Sequence, residues 1–253
     1  AWGAEEESWS MEYKILIGDT AQTHEGSVWD DLDKFLLTPL KGSKGANIWI
    51  RCAAIDYGHR AKQVATFVRQ RQARQVAPGI VQRIIAVKGA NQPGKPIISA
   101  RPAIKKSKAK YNVHVYEIGT DTAKDTIYAY MNILNFGPGF LHFPIGNAEK
   151  NYQGRDREYF KQLTAEKVFK IPDRHGTLIR VWKKKEGARN EALDCRVYAY
   201  AGLMHLINNL GLNLNRAVEA AAAMARTADT ETPAPAIAAK PQGQRVLSKG
   251  IND

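Results

Sequence analysis

The sequence is poorest in cysteine, with two in 253 residues, at positions 52 and 195. Two thiols cannot staple a chain of this length, and they lack the paired spacing of a zinc site, so both read as small core residues in a reducing setting. No run of about 18 apolar residues occurs, which excludes a membrane-spanning helix by composition. The opening Ala1-Trp2-Gly3 has no basic-then-apolar leader, so no signal peptide is expected. The most informative absence is local. Residues 57–116 contain thirteen bases and not one acid. Residues 1–56 hold ten acids and five bases, and residues 117–253 nineteen bases and fifteen acids, within a net charge of +12. A sixty-residue stretch without a carboxylate attracts a polyanion and repels basic partners. A solvated surface is the plainer alternative, but phosphate-backbone binding is the usual meaning of such a patch.

A hydrophobic fraction of 44% and a charged fraction of 25% suit a folded chain of one or two domains. Apolar alternation predicts a half-buried strand over 9–17, and helical spacing of Val28, Leu32, Phe35 and Leu36 predicts a helix over 28–40. Further strands are expected at 47–56, 81–88, 111–118, 140–143 and 177–182. Helices are expected at 60–74, 121–133, 155–169 and 191–209, with a loop over 90–110. Strands alternating with helices give an α/β class, and the early adjacent strands make part of the sheet antiparallel. From about residue 216 the chain turns Ala- and Pro-rich, so the division expected is a domain over 1–215 and a flexible tail over 216–253.

Two carboxylates stand out. Asp56 ends an apolar strand on which Ile48, Ile50, Cys52 and Ala54 would share its face. A buried strand ending in an acid needs a partner, a cation or a helix to cap, and a cap on the following helix is a serious alternative. Asp194 lies between Leu193 and Cys195 in Arg-Asn-Glu-Ala-Leu-Asp-Cys, three residues after Glu191 and on the same helix side. Acids in a first turn also suit the helix dipole, which explains Glu191 better than Asp194. Oxygen donors from a strand end and a helix suit Mg²⁺ or Mn²⁺, and two such ions can activate water for phosphodiester hydrolysis. That site needs three or four acids. Asp121 is a weaker candidate and reads as the N-cap of its helix. Gly89-Ala-Asn-Gln-Pro-Gly-Lys95-Pro96 imitates a phosphate-binding loop but ends in proline, without the hydroxyl that would hold Mg²⁺, so no ATP site is expected.

Several segments together resemble the large terminase subunit of tailed phages, in its lambda-like branch and specifically its C-terminal nuclease region. They are Ala-Ile-Asp-Tyr-Gly-His (54–59), Val-Lys-Gly-Ala (87–90) with Gly-Lys-Pro-Ile (94–97), and Gly-Thr-Asp-Thr-Ala-Lys-Asp (119–125). His-Phe-Pro (142–144), Gln-Leu-Thr-Ala-Glu (162–166), Trp-Lys-Lys (182–184) and Arg-Asn-Glu-Ala-Leu-Asp-Cys (189–195) follow in the same order, over about residues 1–210. The resemblance implies an RNase H-like mixed sheet flanked by helices. It implies Mg²⁺- or Mn²⁺-dependent cutting of concatemeric double-stranded DNA in the host cytoplasm, with two ions. Asp56 and Asp194 would be the metal ligands and Glu191 an auxiliary catalytic acid. The basic residues assigned to DNA are His59, Arg60, Lys88, Lys95, Lys105, Lys106, Lys124, Lys183, Lys184 and Arg189. Implied partners are the terminase small subunit and, through the tail, the portal of the procapsid. The chain departs from the family at its start. It lacks the Val-Asp-Val-Gln-like opening strand with a first metal-binding Asp, and lacks the ATPase region, so a fragment weak in metal is expected. The reading from another class is a non-catalytic DNA-binding and portal-docking module.

Overall fold

The computed structural model describes residues 1–42, 45–104, 110–144 and 155–230, with side chains to residue 223. Lys105 and Lys106, and the tail from residue 231, lie outside the described residues. The fold is mixed α/β, built on a four-stranded sheet. Strand β1 is Ser8–Trp9 and helix α1 is Val28–Leu37; β2 (Leu40–Lys41) and β3 (Asn47–Ile48) form a small hairpin. Strand β4 (Cys52–Asp56), α2 (Ala61–Arg71), β5 (Ala73–Ala77), β6 (Ile80–Gly89) and β7 (Val115–Ile118) follow. The long β6 is the spine. It pairs in parallel with β4 on one side; on the other it meets β5 antiparallel along its first half and β7 parallel along its second.

The two faces of this sheet follow from the period of two. Ile84 and Ala86 on β6, with Ala53 and Ile55 on β4, meet α1 and α2 through Leu36, Val64, Phe67 and Val68. Ile85 and Val87, with Cys52 and Ala54, face α3 (Thr120–Met131), α4 (Arg157–Leu163) and α5 (Glu191–Met204). Strand β8 (Leu141–His142) pairs with β1. A hairpin of β9 (Glu166–Pro172) and β10 (Leu178–Lys184) docks on α3, where Arg180 and Trp182 donate to Asp125 and Trp182 packs on Tyr128 at 4.7 Å. Among the described residues, no helix is long and apolar enough to cross a membrane.

Four expectations are corrected. The strand expected over 9–17 shrinks to Ser8–Trp9, and Ile15 and Ile17 stay exposed, with no strand paired to them among the described residues. The strand expected over 47–56 is broken between Ile48 and Cys52, so Ile50 packs with the α2 side and does not share Asp56's face. Residues 155–169 divide into α4 and the start of β9, because Thr164 ends the helix and Glu166 begins pairing with Lys184. The first part of the segment expected as a flexible tail over 216–253 is helical, in α6, Leu214–Thr230. Its alanines carry the highest helix propensity. Strand β5 was not expected; the turn Pro78-Gly79, with Gly79 at φ +69°, folds it back on β6.

Candidate functional site

Strand β4 ends at Asp56 with Val87 as its partner across the ladder, and Tyr57 N–H closes the pairing on Val87 O at 2.7 Å. The chain then turns sharply. The Gly58 N–H donates to Asp56 Oδ1 at 2.8 Å, and a Cβ at Gly58 would come within 3.1 Å of that oxygen. Helix α2 begins only at Ala61, after Arg60 in a left-handed conformation, and receives no side-chain cap. Asp56 therefore makes a local turn and does not cap the helix, so that alternative falls. Its carboxylate is exposed.

Helix α5 lies against β4 and runs the opposite way. Gly202 sits over the strand's start, where a Cβ would lie 3.5 Å from Cys52 Sγ. Stepping back along the helix from 202 to 194 covers about 12 Å, and forward along the strand from 52 to 56 about 13 Å. Asp194 and Asp56 thus belong to the same end of the packed pair. Tyr198 reports both: burial pushes its phenol well above the ordinary range, and the Asp56 and Asp194 carboxylates push it further.

Asp194 is half-buried, and desolvation raises its carboxyl above the usual carboxylate range. Lys124 and Lys184 oppose that rise, while Glu166 and Glu191 add to it. Asn190, the residue before α5, ties this neighbourhood together. Its Nδ2 donates to Asp194 Oδ2 at 3.1 Å and to Glu166 Oε1 at 2.7 Å, and its Oδ1 accepts from Lys184 Nζ at 3.0 Å. Glu166 is buried and takes the Lys124 ammonium on both oxygens, at 2.8 and 2.9 Å. Lys124 is itself buried, so its ammonium meets Glu166 and not a phosphate in this arrangement. Gly119, at the cap of α3, packs against the loop before β7, where a Cβ would collide with the Lys95 carbonyl oxygen.

Glu191 stays at the exposed edge. Burial would raise it, but its own backbone and Arg189 Nε at 3.2 Å hold it low, so its charge is already answered. Asp121 lies in the first turn of α3 and caps nothing; Gly119 is at the cap position. Glu166 and Asn190 were missed from the sequence. Asn190 stood in the same motif as Asp194, whereas Glu166 was hidden by the reading of its segment as helix.

The remaining basic residues form an exposed rim. His59, Arg60 and Lys88 surround the end of β4 and β6, and Lys183, Lys184 and Arg189 the start of α5. Lys95 approaches Glu117 at 3.9 Å, and Arg60 Nε donates to Thr20 at 3.1 Å. Not all of the acid-free run is available: Arg71 and Arg74 converge on Asp33 of α1, one of the early acids.

Among the described residues, no three His, Cys, Asp or Glu side chains gather closely enough to hold a metal ion. The donor set nevertheless suits one hard cation. Asp56 Oδ2 and Asp194 Oδ1 accept no protein hydrogen bond among the described residues. Two carboxylate oxygens with several retained waters are an ordinary Mg²⁺ environment. Glu166, the further acid tied to Asp194 through Asn190, already accepts from Lys124 and Asn190.

Residues 1–214 match the family described as terminase large subunit gpA, endonuclease domain. The chain is 34% identical over 221 residues to the terminase large subunit of Escherichia phage lambda, covering 85% of this chain and 31% of that protein. It is 35% identical over 183 residues to the terminase large subunit of Enterobacteria phage P21, covering 68% of this chain and 24% of that protein. It thus spans less than a third of either relative. No solved structure gives a significant match. On the family match across most of its length, the chain belongs to the terminase large subunit gpA family and carries its endonuclease domain.

Proposed function

We propose that this domain is a divalent-metal-dependent endonuclease that cuts double-stranded DNA during phage genome packaging, on an RNase H-like scaffold. One observation carries the reading. Asp56 and Asp194, from a strand end and a helix start far apart in sequence, belong to the same end of the packed β4–α5 pair, and each keeps an oxygen without a protein partner among the described residues. A cation held between them would supply Lewis acidity toward water and the scissile phosphate. Asp56, fixed by Gly58, and Asp194, fixed by Asn190, orient those donor oxygens. The exposed His59, Arg60, Lys88, Lys183, Lys184 and Arg189 grip the DNA backbone on either side, and Glu191 serves as an auxiliary acid at the rim. Supporting the scaffold assignment, β4, β6 and β7 run parallel with an antiparallel β5, and a helix crosses the strand that bears the acid. In the assembled motor, the terminase small subunit and the procapsid portal are the proposed partners, in the host cytoplasm.

The lack of a three-acid cluster among the described residues favours a second reading, a DNA-binding and docking module that does not cut. Plasmid nicking with Mn²⁺ separates the two. The nuclease reading expects cutting that disappears with Asp194→Ala while DNA binding persists. Salt-dependent binding with no cleavage under any metal would leave only the docking module.

A further inference from the structure

The β9–β10 ribbon has two faces of different character. Its register puts Glu166, Arg180 and Trp182 on one face, where they meet Lys124, Asp125 and Tyr128 of α3. The other face pairs Lys167 with Lys183, Phe169 with Val181 and Ile171 with Ile179. None of its four apolar side chains joins either core cluster, and Phe169 is 48% and Ile179 38% exposed. At the foot of this apolar strip two lysines stand directly opposite each other. Like charges so placed destabilise a ribbon, and neither ammonium has a hydrogen bond or ion pair among the described residues. The ribbon's own acids do not answer them. Glu166 is buried on Lys124, and Asp173 accepts from the His175 and Thr177 N–H groups of its own turn at 2.8 and 2.9 Å. Exposed Lys170 and Lys185 are also unpaired among the described residues, so positive charge surrounds the strip. The foot is tied to the candidate site: Asn190, which holds Asp194, bonds Glu166 of β9 and Lys184 of β10. From there the ribbon runs outward to the Pro172–Leu178 pair, a distance of about 20 Å.

Resting on the reading of this domain as one that acts on duplex DNA at Asp194, we propose that the outward face of the β9–β10 ribbon seats in the major groove beside the cut, with Phe169 and Ile179 against base edges and Lys167 and Lys183 on backbone phosphates. Phosphates between the opposed ammoniums relieve their repulsion. The major groove, about 12 Å wide, admits a two-stranded ribbon, whereas the minor groove, at about 6 Å, must be pried open first. Thymine methyl groups on the floor of the major groove give the apolar strip a surface to cover. A ribbon of about 20 Å follows about six base pairs. It therefore fixes the position of the DNA along Asp194 and takes no part in the chemistry. An acidic protein would also answer the lysines, but DNA bound at Asp194 has to pass the foot of the ribbon.

The test is dimethyl sulfate footprinting of the intact chain on a DNA duplex in EDTA, with affinity read by fluorescence anisotropy. The reagent reports guanine N7 in the major groove and adenine N3 in the minor. The wild type should protect guanine N7. Phe169→Thr with Ile179→Thr keeps strand-forming residues at exposed positions. It should lose that protection and bind duplex at least about tenfold more weakly, with its melting temperature and Mn²⁺ binding kept. Lys167→Ala with Lys183→Ala should flatten the slope of log affinity against log salt by about 2. It should melt no lower than the wild type, because a repulsion is removed. No guanine N7 protection by the wild type, protection at adenine N3 alone, or an unchanged salt slope in the lysine variant would each overturn the proposal. Full DNA binding by both variants would overturn it too, and would assign the face to an acidic protein. Ribbon-dependent protection in a chain that does not nick with Mn²⁺ would sink the nuclease reading and leave the ribbon standing. Nicking that Asp194→Ala abolishes and both ribbon variants leave untouched would sink the ribbon alone.

Discussion

The two faces of the central sheet use the same alternation along β4 and β6 but treat polar groups differently. On the α2 face, Gln82 is fully buried and fully answered: it donates to Leu36 O and Ile50 O, each at 2.8 Å, and accepts from Arg74 at 2.8 Å. Arg74 in turn meets Asp33. On the α5 face, burial acts against Asp194, and its second oxygen has no protein partner among the described residues. Polar groups on one face add to stability. On the other face a charge is held at a cost, as sites that bind or react commonly require.

The largest effect that could break this contrast is on cutting. Asp194→Ala should lower Mn²⁺-dependent nicking by about a thousandfold, equivalent to about 4 kcal/mol of lost transition-state stabilisation. Undiminished nicking would make the two faces functionally alike. Phe67→Ala, on the quiet face, should cost about 3 to 4 kcal/mol in urea unfolding, with Mn²⁺ binding by the folded protein unchanged. A loss of ion binding there would show that the faces are coupled.

A third effect is set by pH. His205 follows α5, is buried, and is lowered from 6.5 to about 4, first by burial and then by Arg83. Tyr116 packs on its edge, and Asn209 Nδ2 donates to its Nδ1 at 2.9 Å, which keeps the ring neutral. A lowered pKa means that stability is present above about 6.5 and drains away as pH falls toward about 4. The loss should be about 3 kcal/mol, and His205→Gln should flatten that slope in thermal melts. The smallest effect is Asp194→Asn. The raised carboxyl of Asp194 favours the folded state at low pH and disfavours it as pH rises through ionisation. Removing that charge should therefore raise the melting temperature of the chain at neutral pH. A lower melting temperature would mean that Asp194 is structural after all.

Much of this was legible from residue patterns. Strand β6 and helices α2, α3 and α5 stand within a few residues of where periodicity puts them, because each has a continuous apolar stripe. Asp56 and Asp194 were conspicuous because an acid among apolar neighbours needs a reason. The segment 9–17 misled because alternation means a strand only where a partner strand lies alongside. Glu166 was illegible because its environment comes from α3 and Asn190, 42 and 24 residues away.

Local periodicity and composition are enough for the α/β class, the acid-free basic stretch and the two acids at element ends. How charges pair across distance came from three-dimensional packing. It drew Arg71 and Arg74 onto Asp33, turned Lys124 inward onto Glu166, and brought Asp56 and Asp194 to one end of a packed strand and helix. The reason is physical: a charge's energy is set by what surrounds it in space, and packing alone chooses those neighbours.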